Sequence, residues 1–155
     1  MTSIKSLYAA FSELSTATYE GSRPPTAEDV ARAEAALGRS IPKELVDLQS
    51  AFHDRHPPFW DVLRVQPQGA PPVSEDIVKI NLNERRMYPG ELDHVLLFYH
   101  AGQGNYDCFI FDSRGQVLGI GRWDPFDDDR ETPPDIRYDS WVAWLTDEIR
   151  DLQNL

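Results

Sequence analysis

The sequence predicts one α+β domain over residues 1–155, with helices packed on an antiparallel β-sheet. Apolar residues recur at helical spacing in the first half of the chain and again near its end. Between residues 94 and 123, short apolar runs alternate with turn residues, which is typical of a β-meander. The chain is 41% hydrophobic and 26% charged, so a packed core is expected.

The first predicted element is an amphipathic helix over residues 4–18. Its apolar residues are Ile4, Leu7, Tyr8, Phe11 and Leu14. They form one stripe, which needs a partner surface from either the protein's own core or a second chain. We interpret residues 1–22 as an N-terminal helical extension of the domain.

Two further helices are predicted over residues 26–37 and 42–53. Thr26 can accept a hydrogen bond from the first free backbone N–H groups of its helix. Gly38 suits the left-handed position that ends a helix, and Pro42 suits the first turn of the next one. Both helices therefore have start or stop signals as well as an apolar stripe.

The segment between these helices and the meander is ambiguous. Residues 59–65 fit either a first strand or an irregular crossover. Ser74 and the two acidic residues after it resemble a helix start, whereas residues 77–82 also alternate as a strand does. In the helical interpretation, Met87 turns toward the core.

The β-region consists of strands predicted at Val95–Tyr99, Tyr106–Phe111 and Gln116–Trp123, joined by turns at 101–105 and 112–115. A polar loop follows over residues 124–139 and is expected to be exposed. Its acidic residues are Asp124, Asp127, Asp128, Asp129, Glu131, Asp135 and Asp139. A last helix is predicted over 139–152, with its tryptophans on the apolar face.

The charge balance restricts the classes of partner. Fifteen basic and 26 acidic residues give a net charge of −11, and such a field repels nucleic acids and anionic membrane surfaces. The same field would speed encounter with a basic protein, or simply keep this protein soluble. The apolar runs are too short to span a membrane, and polar residues interrupt the N-terminal region, so a cytoplasmic protein is expected.

Motifs for catalysis are missing from the sequence. Gly102 and Gly104 join two predicted strands and do not form a phosphate-binding loop, and there is no Gly-x-Ser-x-Gly motif. Cys108 lies in an apolar run, where a small core residue is expected. His53 and His56 are spaced to share a metal if their helix continues, but two ligands do not make a site. We predict no catalytic residue, no cofactor and no metal site.

The candidate partner-binding residues lie at the end of the last predicted strand of the meander. They are Trp123, Asp124, Phe126, Asp127, Asp128 and Asp129. Aromatic anchors within a polar rim are typical of protein interfaces. The three consecutive aspartates can imitate phosphates for a basic cleft, bind a hard cation, or be merely solvated. The loop lacks the glycine and the terminal glutamate of a calcium-binding helix-loop-helix.

The order of elements resembles the SUKH superfamily, which includes Smi/Knr-type fungal cell-wall regulators and bacterial immunity proteins. The most specific residues are Thr26, Glu28, Val30, Glu34, Leu37, Gly38, Ile41, Pro42, Leu45 and Leu48. Looser matches are Leu96–Phe98, Gly104–Asp107, Val117, Trp123–Asp124 and the closing helix. The chain departs from the family at residues 51–54, where members usually have Asn-Gly.

The resemblance implies helices on an antiparallel sheet and a binding role without catalysis. For bacterial members, it implies neutralisation of toxins that are often nucleases or deaminases. We therefore expect an immunity protein whose sheet or acidic loop occludes the active site of a basic toxin. The alternatives are a regulatory or scaffold adaptor of the Smi/Knr type and a metal-dependent hydrolase using His53 and His56. The oligomeric state is not predicted.

Overall fold

The computed structural model describes residues 3–14, 17–18, 22–56 and 61–154. Helices and strands within this part of the chain are numbered in order. The helices are α1 (Ile4–Glu13), α2 (Ala27–Leu37), α3 (Lys43–Ala51), α4 (Ile77–Met87) and α5 (Trp141–Gln153). The strands are β1 (Ala17–Thr18), β2 (Arg55–His56), β3 (Asp61–Val62), β4 (Val95–Gly102), β5 (Asn105–Phe111), β6 (Val117–Trp123) and β7 (Ile136–Tyr138).

The main sheet is an antiparallel meander with the strand order β3-β4-β5-β6-β7. Within the described ranges, β3 contributes Asp61 and Val62, and β1 pairs with β2 in a separate two-stranded ribbon. In the β5–β6 hairpin, Cys108 lies opposite Gly121 and Asp107 lies opposite Arg122. The protein thus has the predicted α+β class, with helices packed on an antiparallel sheet.

Helix α5 covers one face of the sheet. The ring centroid of Trp144 lies 4.8 Å from that of Phe98, and Trp141 stacks on Phe109 at 5.7 Å. Trp144 is fully buried. Because successive side chains of a strand point to opposite faces, Asp107 points toward α5 along with Phe109.

The opposite face is covered by α4 and by the turn that follows it. Asn81 of α4 is fully buried and bonds the backbone of Leu97 through both atoms of its amide, with distances of 2.9 Å. Tyr88 meets the Trp123 ring edge-on at 5.1 Å. The Asn81 amide therefore ties the helix to the centre of β4.

Strand β7 and the two residues before it lie close against two glycines of β6. A Cβ atom at Gly121 would lie 2.5 Å from the Asp135 carbonyl oxygen, and one at Gly119 would lie 2.7 Å from the Ile136 side chain. Real Cβ atoms do not approach that closely. The path of residues 134–136 thus depends on β6 having no side chain at these two positions.

The strongest local predictions are confirmed. Thr26 caps α2 with a reciprocal hydrogen bond to Asp29, and Gly38 closes the helix with φ of 67°. The helix predicted over 139–152 is present as α5, which Ser140 caps by accepting a hydrogen bond from the Ala143 N–H. Leu7 and Phe11 of α1 are buried. The apolar stripe of this helix therefore packs on the protein's own core, which is one of the two partner surfaces predicted for it.

Several boundaries differ from the predictions. Helix α1 ends at Glu13 instead of 18, and residues 17–18 belong to β1, while 15–16 lie outside the described residues. Helix α3 ends at Ala51, with Pro42 before its first turn. The segment 77–82 is helical, but Met87 is 58% exposed and not turned inward.

The polar loop predicted over 124–139 contains a strand that the sequence analysis missed. Ile136–Tyr138 pairs with β6, because the preceding segment fits over the glycines there. In the ambiguous segment 59–65, Asp61–Val62 forms β3, and Phe59 and Trp60 are outside the described part of the chain. Of the helices that the structure describes, none is long and apolar enough to cross a membrane.

Candidate protein-interaction surface

The acidic loop, defined here as residues 124–135, begins with a turn that presents an aromatic ring to solvent. The Asp124 carboxylate accepts a hydrogen bond from the Phe126 N–H at 2.9 Å, which fixes the turn. Phe126 is 74% exposed. The edge of its ring lies against Gly104, which has φ of 81°, where a Cβ atom would collide with the ring. The turn between β4 and β5 therefore supports Phe126 from below.

A second turn and an ion pair hold the middle of the loop. The Asp127 carboxylate accepts from the Asp129 N–H at 2.9 Å. The Arg130 guanidinium then donates to both oxygens of Glu91, at 2.9 and 2.6 Å. Trp123 donates its indole N–H to the same carboxylate at 3.2 Å. The hydrogen bond from Arg130 lowers the pKa of Glu91, so the anchor is charged at neutral pH.

The loop borders an open groove of about 580 Å³. Its lining residues are Asn105, Arg122, Asp124, Asp127, Asp129, Arg130, Glu131, Pro134, Asp135 and Arg137. Arg122 and Arg130 are already paired with carboxylates of the fold, Asp107 and Glu91. With Arg137 as the third arginine against five acidic residues, the lining of the groove has a net negative charge, and the three consecutive aspartates of the loop are exposed.

The six candidate partner-binding residues differ in burial. Asp124 is partly buried, and Phe126 and Asp127–Asp129 are at the surface. Trp123, by contrast, is fully buried between Tyr88 and Tyr106. It therefore cannot touch a partner directly and instead supports the loop through Glu91. Of the two aromatic candidates, only Phe126 lies at the surface.

The histidines do not form the shared helical face that the metal hypothesis needs. His53 lies beyond the end of α3, with Nδ1 3.1 Å from the Ser22 hydroxyl, and the His56 backbone lies in β2. In the described ranges, no group of three or more His, Cys, Asp or Glu residues is arranged to hold a metal ion. Cys108 is fully buried, as predicted, and burial raises the pKa of its thiol.

A buried polar cluster lies between α5 and the sheet: Tyr99, Asp107, Arg122, Trp144 and Glu148. Asp107 is 1% exposed and accepts from Arg122 Nε at 2.8 Å and from Trp144 Nε1 at 2.9 Å. The Tyr99 hydroxyl donates to Glu148 Oε2 at 3.0 Å. Burial raises the pKa of Glu148 to about 7, and the nearby Asp107 charge adds to the rise.

The sequence analysis missed both the Arg130–Glu91 ion pair, which holds the acidic loop, and the buried polar cluster. Glu148 was detectable, because it lies four residues after Trp144 on the apolar face of α5. The pairing of Asp107 with Arg122 depends on a one-residue shift of the hairpin register between Phe111 and Ile110, so the turn at 112–115 alone does not predict it. The Arg130–Glu91 pair spans 39 residues and has no local signal.

Comparisons with known proteins find no family model that matches this chain and no curated protein that matches its sequence. The SUKH resemblance therefore stays a prediction carried by the residues quoted for it.

Proposed function

We propose that this chain is a non-catalytic, SUKH-like protein-binding domain that acts as an immunity protein for a bacterial toxin of basic surface. The observation that carries the proposal is Phe126, an aromatic side chain 74% exposed at the head of a fixed acidic loop. Interface hot spots favour aromatic anchors surrounded by a polar rim. The proposal also rests on the family-like spacing in α2 and α3, and it places the protein in the bacterial cytoplasm.

Order in the loop supports a binding role. Two Asx turns and the Arg130–Glu91 ion pair set the backbone before any partner arrives. A loop that is already ordered loses less conformational entropy on association, so more of the contact energy becomes affinity. The loop thus has the properties of a preformed docking element.

Charge supports the choice of partner. The net charge is −11, and five of the ten residues that line the groove beside the loop are acidic, against three arginines. Nucleases carry basic clefts that bind phosphates, and an acidic loop can fill such a cleft and exclude the substrate. The proposed inhibition is therefore by shape and charge, without turnover.

The test is rescue of bacterial growth. The chain is co-expressed with the protein encoded by its neighbouring gene, and that protein's toxicity is measured with and without this chain. Phe126→Ala is expected to raise the dissociation constant of the complex on the order of 30-fold, because interface anchors contribute about 2 kcal/mol of binding free energy. Leu118→Ala is the matched control, since Leu118 is 51% exposed near the other end of β6.

A second arm tests charge. The triple change of Asp127, Asp128 and Asp129 to Asn is expected to slow association on the order of tenfold at low salt, with little effect at high salt. A control with the same charge change replaces exposed Glu28, Glu44 and Asp54 with amides. Equal effects of the two triples would show that only total charge matters, and the docking surface would be wrong.

Other outcomes separate the alternatives. A neighbouring gene product that is harmless, together with capture of a housekeeping protein that depends on Phe126, would favour the adaptor hypothesis. Stoichiometric zinc or manganese in the purified protein, lost when His53 and His56 are changed to Ala, would favour the hydrolase.

A further inference from the structure

The buried polar cluster holds two carboxyl groups but only one guanidinium. Asp107 takes both of the hydrogen bonds that Arg122 directs into the cluster, at 2.8 and 3.4 Å, and a third from Trp144. Glu148 is 8% exposed and accepts a hydrogen bond from the Tyr99 hydroxyl. With both carboxyl groups ionised, the cluster would carry an uncompensated negative charge in a poorly solvated space.

The charged and titratable groups that act on Glu148 lie on β4, β5, β6 and on α5 itself. Tyr99 of β4 and Asp107 of β5 lie beneath it, and Arg122 of β6 lies beside Asp107. The negative charge of Asp151 on the same helix, and that of Asp107, oppose ionisation of Glu148, whereas Arg122 and the Tyr99 hydrogen bond favour it.

Other nearby charged or titratable groups are engaged elsewhere or exposed. Tyr138 of β7 donates to Asp147, which also pairs with Arg150 on α5. The charged residues of α1, Lys5 and Glu13, are exposed. Neither of the basic residues named here, Lys5 and Arg150, supplies a buried positive charge to Glu148, because both are exposed.

We propose that the buried polar cluster is a proton-controlled clamp: Glu148 holds a proton while α5 is docked on the sheet, and loss of this proton above neutral pH loosens the C-terminal helix. In the protonated state, the site has one anion, Asp107, paired with one cation, Arg122. In the ionised state, Glu148 and Asp107 repel each other, and water or a shift of α5 must relieve the repulsion.

The direction of the pH effect follows from linkage. The pKa of Glu148 is raised from 4.5 to about 7 by folding, so between these values the folded state binds more protons than the unfolded chain. The stabilisation is complete below the unfolded pKa and is lost as the pH rises through the folded one. Each pH unit inside this window raises the unfolding constant by up to about tenfold.

The test compares wild type with Glu148→Gln in urea unfolding from pH 5 to pH 8.5. Glutamine keeps the shape and can still accept from Tyr99, but it does not titrate. The unfolding constant of wild type, divided by that of the variant, is expected to rise between about 10-fold and 100-fold across this range. A ratio that stays constant would overturn the clamp.

Two further measurements keep the test decisive. Glu28→Gln makes the same chemical change at an exposed site and is expected to leave the pH profile of wild type unchanged; a profile as flat as that of Glu148→Gln would overturn the assignment to Glu148. The carboxyl ¹³C shift of Glu148 in the folded wild type is expected to titrate near pH 7, and Tyr99→Phe should move that midpoint upward. A midpoint near 4.5 in wild type, or no upward movement in Tyr99→Phe, would contradict the proposal even if the Gln variant failed to fold.

Discussion

The buried polar cluster and the acidic loop both use carboxylates, but in opposite ways. In the cluster, Asp107 is 1% exposed and accepts hydrogen bonds from two neighbouring side chains. In the loop, Asp127–Asp129 are exposed, and Asp127 bonds the loop's own backbone. A buried carboxylate thus links α5 to the sheet through Trp144, whereas the exposed carboxylates of the loop are accessible to a partner.

The energetic scales of the two regions should differ accordingly. Breaking a buried pair leaves a charge without solvent or partner, which costs several kcal/mol. Removing an exposed charge removes an interaction that water and salt already screen. Substitutions in the cluster should therefore change stability, and those in the loop should change association.

The largest expected effect is for Trp144→Ala. The fully buried ring contacts Phe98 and Tyr99 and donates to Asp107. Its loss should cost about 3–5 kcal/mol of unfolding free energy in urea. Phe126→Ala is the aromatic control at the surface and should change it by less than about 0.5 kcal/mol. A loss at Phe126 as large as at Trp144 would remove the distinction between the regions.

Asp107→Asn should have the next largest effect. The amide keeps the size of the side chain but removes the carboxylate with which Arg122 pairs. Because the Arg122 side chain is 34% exposed, we expect a loss of about 2 kcal/mol, below the range for fully buried pairs. A double-mutant cycle with Arg122→Gln measures the coupling, and a value near zero would show that the pair contributes little.

Arg130→Gln tests the ion pair between Arg130 of the acidic loop and Glu91 in the turn after α4. Its ion pair with Glu91 is partly buried, so the loss of stability should be smaller than for Asp107→Asn. Limited proteolysis should show faster cleavage within residues 124–135. Arg150→Gln is the control, because its pair with Asp147 is more exposed and lies outside the loop. Equal protease sensitivity of the two variants would mean that Arg130 does not hold the loop.

The smallest effect on stability is expected for the triple change of Asp127, Asp128 and Asp129 to Asn. Removing three like charges from the surface of a protein with net charge −11 should change the unfolding free energy by less than about 0.5 kcal/mol. Thermal melts at low and high salt should nearly coincide with those of wild type. A large destabilisation would mean that these aspartates act in folding.

Much of the fold was predictable because its signals are local. The caps of α2 and α5 and the meander all follow from residues within a few positions of each other. Strand β7 was not predictable in this way. Its three residues follow two prolines and an aspartate, and their pairing depends on glycines in β6.

The candidate surface was predictable only in part. The sequence indicates an acidic, aromatic segment after β6, but burial depends on contacts that are distant in the chain. Trp123 was a candidate partner-binding residue and is in the core, where Tyr88 and Glu91 contact it. Which aromatic residue is exposed therefore had to be seen in the fold.

In the acidic loop, the residues that fix the path of the backbone differ from those that are exposed on its surface. Residues 134–136 are positioned by the lack of side chains at Gly119 and Gly121, and Arg130 is fixed by Glu91 on another element. Substitutions at the outward positions 128 and 129 can thus alter charge and shape without changing these supports, whereas Asp127 also fixes the turn in which it lies. The exposed side chains of the loop can therefore vary in sequence while the residues that determine its path stay the same.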